Sequence, residues 1–124
     1  DINGLKYVND HMGHAYGDKL IRLIGKTMQK EMTEAEVCYR LGGDEFCVIS
    51  KKHLPDELEM RCEQLNNSLI EFYTEYDYEI GISYGALRYQ PNTGETLREC
   101  MDAVDKKMYS FKEALYQTRE KYRL

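Results

Sequence analysis

Residues 39–50, YRLGGDEFCVIS, decide how the middle of this chain folds. Two short runs with β-branched and aromatic residues, 37–41 and 46–50, flank a pair of glycines. This arrangement predicts a β-hairpin whose turn is centred on Gly42 and Gly43. A glycine turn also lets the backbone approach a ligand closely, because no side chain stands in the way.

Asp44 and Glu45 follow the glycines directly, although like charges repel and neither residue favours a strand. Carboxylates on a tight turn are hard ligands suited to Mg²⁺. The hairpin is therefore a candidate metal site. The alternative for so short a motif, taken alone, is an acidic turn with no ligand.

The rest of the chain predicts helices and strands in alternation. Residues 1–14 are rich in Asn, Asp and Gly and indicate a loop with at most a short helical turn. Helical spacing runs from about Ala15 to Met32 and again after Pro55, and residues 78–89 predict a strand. Thr96 and Glu99 form a capping box that opens a last helix. The apolar stripes of the last two helices are Leu58, Cys62, Leu65, Leu69 and Phe72, then Met101, Val104, Met108, Phe111 and Leu115.

These elements predict one α/β domain over residues 1–124, with a mixed sheet covered by helices. A strand is required before the first helix, and Asp1 is expected to be the last residue of that strand, the body of which is missing here. If the strand lies beside the hairpin, Asp1 and Asp44 converge at one edge of the sheet. Two carboxylates placed there suit one or two Mg²⁺ ions over a nucleoside triphosphate.

Composition excludes several classes of protein. The net charge is −5, with 17 basic against 22 acidic residues, which argues against a general nucleic-acid binder. No apolar run reaches membrane-spanning length and no signal peptide opens the chain, so a cytoplasmic domain without membrane contact is expected. Four cysteines lack any C-x-x-C pair and are expected to be reduced thiols. Cys38 and Cys47 would face each other if the turn is centred on the glycines.

Four stretches together resemble the catalytic GGDEF domain of diguanylate cyclases. They are RLGGDEF (40–46), DINGLKYVNDHMGHAYGDKL (1–20), ISYGA (82–86) and MDAVDKKMYSFK (101–112). The resemblance covers essentially the whole chain. It implies a nucleotidyl-cyclase-like palm of βαββαβ type, an α+β mixed sheet whose first strand and preceding helix are missing here.

The resemblance also implies an activity: two GTP molecules are joined into cyclic di-GMP and two pyrophosphates leave, with Mg²⁺ (or Mn²⁺) as cofactor. Each domain holds one GTP, so a second GGDEF domain is needed as homodimer partner. A sensor or regulatory domain is expected before Asp1.

The resemblance carries residue roles. Asp1, Asp44 and the carbonyl of Ile2 are the implied metal ligands, and Glu45 assists at the metal or helps to activate the attacking 3′-hydroxyl. The implied substrate contacts are Asn9 and Asp18 at the guanine edge, the backbone at Gly4, Leu5 and Lys6 and the side chain of Lys112 at the phosphates, and the Gly42–Gly43 turn. Without the resemblance, Lys112 is equally a solvated charge, and Asn9 a turn or cap residue.

Departures from the family leave a second reading open. The product-inhibition site of the family begins with an Arg and an Asp where this chain has Thr33 and Glu36, and a lone carboxylate would repel the phosphates of the product. Tyr116 replaces a second basic residue, which predicts weaker phosphate binding unless Arg119 or Lys121 substitutes. The alternative is a degenerate GGDEF domain that binds GTP or a protein without catalysis.

Overall fold

The computed structural model describes residues 1–69 and 81–120, and within the last helix it describes no side chain at 116 or 118–120. The elements, in chain order, are β1 (Ile2–Asn3), α1 (Leu5–Met12), α2 (His14–Glu31), β2 (Glu36–Gly42), β3 (Glu45–Ser50), α3 (Pro55–Leu69), β4 (Gly81–Ile82), a 3₁₀ turn (Pro91–Thr93) and α4 (Leu97–Glu120). No described helix is both long and apolar enough to cross a bilayer.

The strands within residues 1–69 and 81–120 form two antiparallel pairs, and this mixed α+β architecture confirms the predicted fold class. β1 pairs with β4 in the register Ile2↔Ile82, and β2 pairs with β3 in the hairpin. The Ile2 N–H donates to the Asp44 carbonyl at 2.8 Å and so connects the two pairs. The start of the chain therefore lies between the hairpin turn and β4.

One apolar cluster holds the helices against the strands. Its members are buried side chains from β1, α1, α2, α3 and β4, namely Ile2, Val8, Leu20, Ile24, Met28, Leu65, Leu69 and Ile82. Phe46 and Val48 of β3 pack against this cluster from the hairpin side. The core thus fixes β1 and the hairpin, which carry the predicted metal ligands, relative to α2.

The prediction of a loop over residues 1–14 is wrong, because residues 5–12 form the helix α1. Leu5, Val8 and Met12 lie on one side of it and pack on the core, and this burial outweighs the turn preference of the intervening polar residues. Gly4, with φ 87°, precedes the helix, and Gly13, with φ 92°, ends it. Both backbone conformations suit glycine.

Most of the described part of the strand predicted over 78–89 is irregular. Only Gly81 and Ile82 are in β4, residues 83–90 are irregular, and positions 78–80 lie outside the described residues. Here the chain bonds to side chains instead of a second strand: the Ile82 N–H donates to Asn66 Oδ1 at 2.8 Å, and the Ala86 N–H donates to Glu59 Oε1 at 3.3 Å. Side-chain acceptors on α3 thus replace part of the expected ladder.

The hairpin prediction is confirmed, but its register differs. Leu41 is bulged, and the turn residues are Gly43 and Asp44, since Gly42 pairs with Glu45. As a result Cys47 lies opposite Tyr39 and not opposite Cys38, so the two cysteines point to opposite faces of the hairpin. Burial raises the pKa of both thiols.

The helix predictions are largely confirmed. The predicted capping box exists, with Thr96 Oγ1 accepting from the Glu99 N–H at 3.1 Å and Glu99 Oε1 accepting from the Thr96 N–H at 3.3 Å. In the α3 stripe Leu65 and Leu69 are buried and Leu58 and Cys62 are partly buried, and Phe72 lies outside the described residues. In α4, however, Met101 is 44% exposed, while its neighbour Cys100 is buried in its place.

Candidate functional site

The start of β1 and the hairpin turn meet at one edge of the molecule. Asp1 and Ser83 exchange two backbone hydrogen bonds, of 3.0 and 2.8 Å. Ile2 is therefore at a position whose peptide groups face away from β4 and toward the hairpin, where its N–H reaches the Asp44 carbonyl. The predicted convergence of Asp1 with the Asp44 turn is present.

The carboxylate of Asp1 is almost fully buried, with 6% of the side chain exposed. Its Oδ2 accepts from Lys112 Nζ at 2.7 Å. Its Oδ1 has no hydrogen-bond partner among the described residues. A buried carboxylate oxygen without a partner carries a desolvation penalty that a hard cation or a donor would relieve.

The hairpin turn exposes backbone at the same edge. Gly42 and Gly43 have φ values of 134° and 51°, which side-chain-bearing residues rarely adopt. The Arg40 guanidinium donates to the Gly43 carbonyl at 2.9 Å and braces the turn. Asp44 is partly buried and Glu45 is exposed.

These carboxylates do not by themselves form a closed metal cage. Across residues 1–69 and 81–120, no three or more His, Cys, Asp or Glu side chains gather closely enough to hold an ion. The donor set still has the chemistry of a magnesium site, since Mg²⁺ is commonly held by one or two carboxylates together with waters and substrate oxygens. Asp1 and Asp44 would supply the carboxylates, and Ile2 faces them with its peptide group.

The predicted guanine contacts come from two helices that pack together. Asn9 of α1 lies against Gly17 of α2, because a Cβ built on Gly17 would fall 1.8 Å from Asn9 Oδ1. Asp18 follows Gly17 and is exposed. The amide of Asn9 thus lies beside the residue that precedes Asp18.

The start of α1 presents backbone amides. The Val8 N–H donates to the Gly4 carbonyl at 3.0 Å, so the N–H groups of Leu5 and Lys6 lie before the first intrahelical bond. Such N–H groups, together with the helix dipole, favour an anion. Leu5 is half-buried and Lys6 exposed, so the backbone near both remains close to the surface.

Lys112 is placed by close packing of α4 on the segment after β4. A Cβ on Gly85 would fall 2.8 Å from the backbone nitrogen of Met108, so the helix approaches the chain where only glycine leaves room. One turn further on, the rings of Tyr84 and Phe111 lie 4.5 Å apart. The helix therefore points Lys112 at Asp1. The side chains at 116 and 119, and Lys121, lie outside the described set, so the prediction about a substitute for Tyr116 stays open.

Two polar features were not predicted. Asn3 is buried, and its Oδ1 accepts from Ser83 Oγ at 2.9 Å. Its Nδ2 has no partner among the described residues. The Asn-Gly pair at this point favours a turn in the sequence, and only strand pairing shows that Asn3 faces inward.

Glu36 is the second unpredicted feature, and the expectation of a lone carboxylate is wrong. Its side chain is fully buried, forms an ion pair with Arg61, and lies 3.0 Å from His53 Nδ1. Thr33 Oγ1 and Ser50 Oγ donate to it at 3.0 and 3.2 Å. Burial acts to raise the pKa of Glu36, but the hydrogen bonds from His53 and Thr33 outweigh it and hold this pKa below its ordinary value.

Sequence comparisons identify a family. Residues 1–118 match the family described as "Diguanylate cyclase, GGDEF domain". The chain is 31% identical over 109 residues to the probable diguanylate cyclase DgcJ of Escherichia coli, covering 88% of this chain and 21% of DgcJ. The chain therefore belongs to the GGDEF diguanylate cyclase family, as its motifs predict.

Other relatives show how varied this family is. MucR of Pseudomonas aeruginosa, named a bifunctional diguanylate cyclase and cyclic di-GMP phosphodiesterase, is 30% identical over 115 residues, which are 91% of this chain and 17% of MucR. PdeR of E. coli, named a cyclic di-GMP phosphodiesterase, is 29% identical over 121 residues, which are 91% of this chain and 17% of PdeR. This chain thus spans about a fifth of the length of these relatives or less.

A solved structure confirms the fold independently. The GGDEF domain of DgcB from Caulobacter crescentus, solved in complex with c-di-GMP, superimposes with a TM-score of 0.75 at 22% identity. The match covers 92% of this chain and 69% of the DgcB chain. At this identity the comparison establishes the architecture and not the ligand.

Proposed function

We propose that this chain is a diguanylate cyclase domain that condenses two GTP molecules into cyclic di-GMP and releases two pyrophosphates. One observation carries the proposal. Asp1 lies at one edge beside the Asp44 turn and Lys112. The Ile2 N–H donates to the Asp44 backbone carbonyl at 2.8 Å, and Lys112 Nζ donates to Asp1 Oδ2 at 2.7 Å. Two carboxylates and a cation at one place suit a metal-bound triphosphate.

In this proposal the Asp1 and Asp44 carboxylates and the Ile2 carbonyl hold Mg²⁺ or Mn²⁺, with Glu45 beside them. The ion neutralises charge on the reacting phosphate and the leaving pyrophosphate. The unpartnered Oδ1 of Asp1 supports this assignment. Glu45, exposed at the start of β3, would accept a proton from an approaching 3′-hydroxyl.

In this proposal α1, α2, α4 and the hairpin supply the contacts for GTP. Asn9 and Asp18 read the guanine, since a carboxylate accepts from the guanine N–H donors and an amide both donates and accepts. Backbone amides near Leu5 and Lys6, after Gly4, meet the phosphates, and so does Lys112. The Gly42–Gly43 turn lets a ligand lie close to the backbone.

The reaction joins two substrates, so a second GGDEF domain must face the first with its own GTP. Holding each 3′-hydroxyl at the other α-phosphate converts a collision of free molecules into an oriented reaction, and proximity is a large part of the catalysis. We propose a homodimer for this step, in the cytoplasm. Since the chain spans 21% of DgcJ, we also propose that a sensor or regulatory domain controls the pairing.

A degenerate GGDEF domain that binds GTP or a protein partner without turnover is the second candidate. Two observations favour it. No three acidic, His or Cys side chains gather around an ion position in the described part of the chain. PdeR, a relative of similar identity, is named as a phosphodiesterase and not as a cyclase.

Turnover of GTP with Mg²⁺ by the purified protein, followed by chromatography of the nucleotides, tests the proposal. We expect cyclic di-GMP from the unmodified protein and none from Asp44→Ala or Glu45→Ala, with the circular dichroism spectrum retained. Glu63→Ala, an exposed carboxylate on α3, is the matched control and should keep activity. Full turnover in both hairpin variants would refute the assignment, and GTP binding without any product would favour the second candidate.

A further inference from the structure

The ion pair of Lys112 with Asp1 places an ammonium on the carboxylate that would also hold the proposed metal. Lys112 Nζ lies 2.7 Å from Asp1 Oδ2, and the side chains are 24% and 6% exposed. A carboxylate so deeply buried requires a compensating charge, and the ammonium supplies it. Lys112 therefore supplies the positive charge at Asp1.

An ammonium and a divalent cation at the same carboxylate repel each other, and the repulsion is strong in a sheltered site. The lysine stem is long and flexible enough to swing its charge away while the helix stays in place. Lys112 also lies 6.0 Å from the centre of the Tyr109 ring, so its ammonium is already within range of an aromatic face on the same helix.

We propose that Lys112 is a positioning residue that couples metal binding to nucleotide binding. Its ammonium pairs with Asp1 at 2.7 Å, a divalent cation held by Asp1 would compete with this pair, and the ammonium would then be available to the triphosphate. This inference rests on the proposed function, because it assumes that the triphosphate binds beside Asp1. Thermodynamic linkage makes the effect reciprocal, so the triphosphate, by attracting Lys112, raises the affinity of Asp1 for the cation.

The coupling has a signature that a purely phosphate-binding lysine would lack. Without nucleotide, Lys112 competes with the cation, so its removal should strengthen cation binding. With nucleotide, Lys112 contacts phosphate, so its removal should weaken nucleotide binding. One substitution therefore shifts the two affinities in opposite directions.

Free Mn²⁺ is measured by electron paramagnetic resonance in titrations of the purified protein, with and without a GTP analogue whose α–β bridge is a methylene group. In the absence of nucleotide, we expect Lys112→Gln to bind Mn²⁺ about fivefold more tightly than the unmodified protein does. We expect the same variant to bind the GTP analogue about fivefold more weakly than the unmodified protein does. Lys112→Arg keeps the charge and should behave like the unmodified protein without nucleotide. Lys106→Gln removes an exposed lysine of the same helix and measures the general effect of charge.

Failure of this inference is distinguishable from failure of the proposed function. Asp1→Asn should abolish the tight Mn²⁺ site. If Mn²⁺ binding depends on Asp1 but Lys112→Gln leaves it unchanged or weakens it, the coupling is refuted while the cyclase proposal stands. If Mn²⁺ binding does not depend on Asp1, or the analogue does not bind, the site itself is wrong. If Lys112→Gln does not fold, Lys112→Met takes its place, with a retained thermal transition as the test of folding. A weaker Mn²⁺ affinity in Lys112→Met than in the unmodified protein would then refute the coupling.

Discussion

The side chain of Asn9 on α1 lies directly against Gly17 on α2, where a Cβ would fall 1.8 Å from Oδ1 and 2.8 Å from Cγ of Asn9. The absence of a side chain at Gly17 therefore fixes where the Asn9 amide sits. This contact is the means by which the two helices bring the proposed guanine contacts together.

Gly17→Ala tests whether the position of Asn9 matters for GTP. We expect the variant to fold, since the Asn9 amide can rotate away and alanine favours a helix interior by about 1 kcal/mol. The affinity for a non-reactive GTP analogue should fall about tenfold, the equivalent of roughly one hydrogen bond. Calorimetric titration and thermal unfolding provide the two measurements.

Gly25→Ala is the matched control for this change. It lies on the same helix, and its Cβ would be 3.7 Å from Phe46 Cε1, an ordinary contact. It should leave the affinity for the analogue unchanged. Equal affinities in the two alanine variants would contradict a role for Asn9 at the nucleotide.

Asp18→Ala tests base selection. A carboxylate accepts from the N–H donors of guanine, which adenine does not present in the same pattern. GTP should bind more tightly than ATP, and the substitution should narrow the ratio of the two affinities about tenfold, as expected for a hydrogen bond to a charged group. Asp10→Ala, an exposed carboxylate on α1, is the control. An unchanged GTP-to-ATP ratio in Asp18→Ala would rule out this role.

The buried Glu36 should make stability depend on pH. Glu36→Gln leaves Arg61 without its ion pair, and we expect it to lower the free energy of unfolding by about 2 kcal/mol at neutral pH. Burial acts to raise the folded-state pKa of Glu36, but hydrogen bonds from His53 and Thr33 outweigh it and hold this pKa below its ordinary value. The carboxylate therefore stabilises the fold at pH values above its unfolded-state pKa of about 4.3. That stabilisation is lost as the pH falls through the lower folded-state pKa.

Urea unfolding at several pH values measures the effect. The difference between Glu36→Gln and the unmodified protein should be constant from about pH 7 to 5 and should shrink below about pH 4. Glu34→Gln removes the same charge from an exposed position and should change stability by less than about 0.5 kcal/mol. A difference that persists undiminished at low pH would contradict the ionised state of Glu36.

Product feedback at the hairpin should be absent. Thr33 has no guanidinium for a bidentate contact, and the Glu36 carboxylate is already occupied by Arg61, His53, Thr33 and Ser50. We expect cyclic di-GMP to inhibit only by competing with GTP, so that inhibition weakens as GTP rises. Thr33→Ala should leave the inhibition constant unchanged. Non-competitive inhibition by micromolar product would show that a second product site survives.

Local patterns in the sequence predicted much of the fold. The Gly-Gly pair between two β-branched runs predicted the hairpin, and the Thr96–Glu99 box predicted the start of α4, because both signals depend on neighbouring residues alone. The helix α1 was missed because Asn9 and Asp10 favour turns locally, whereas burial of Val8 decides the outcome. The register of Cys38 and Cys47 was wrong because a bulge at Leu41 moves the turn by one residue.

By itself the sequence determined the family, the hairpin and the residue types that a metal and a guanine require, since motifs and short-range periodicity are written in consecutive residues. Only the tertiary structure decided which of these residues share a site. Asp1 and Lys112 are 111 positions apart, and Glu36 meets residues 14, 17 and 25 positions away. Such pairs form because the core fixes β1 and α3 against the hairpin and α4 packs closely on the segment after β4, and no local pattern encodes their distance.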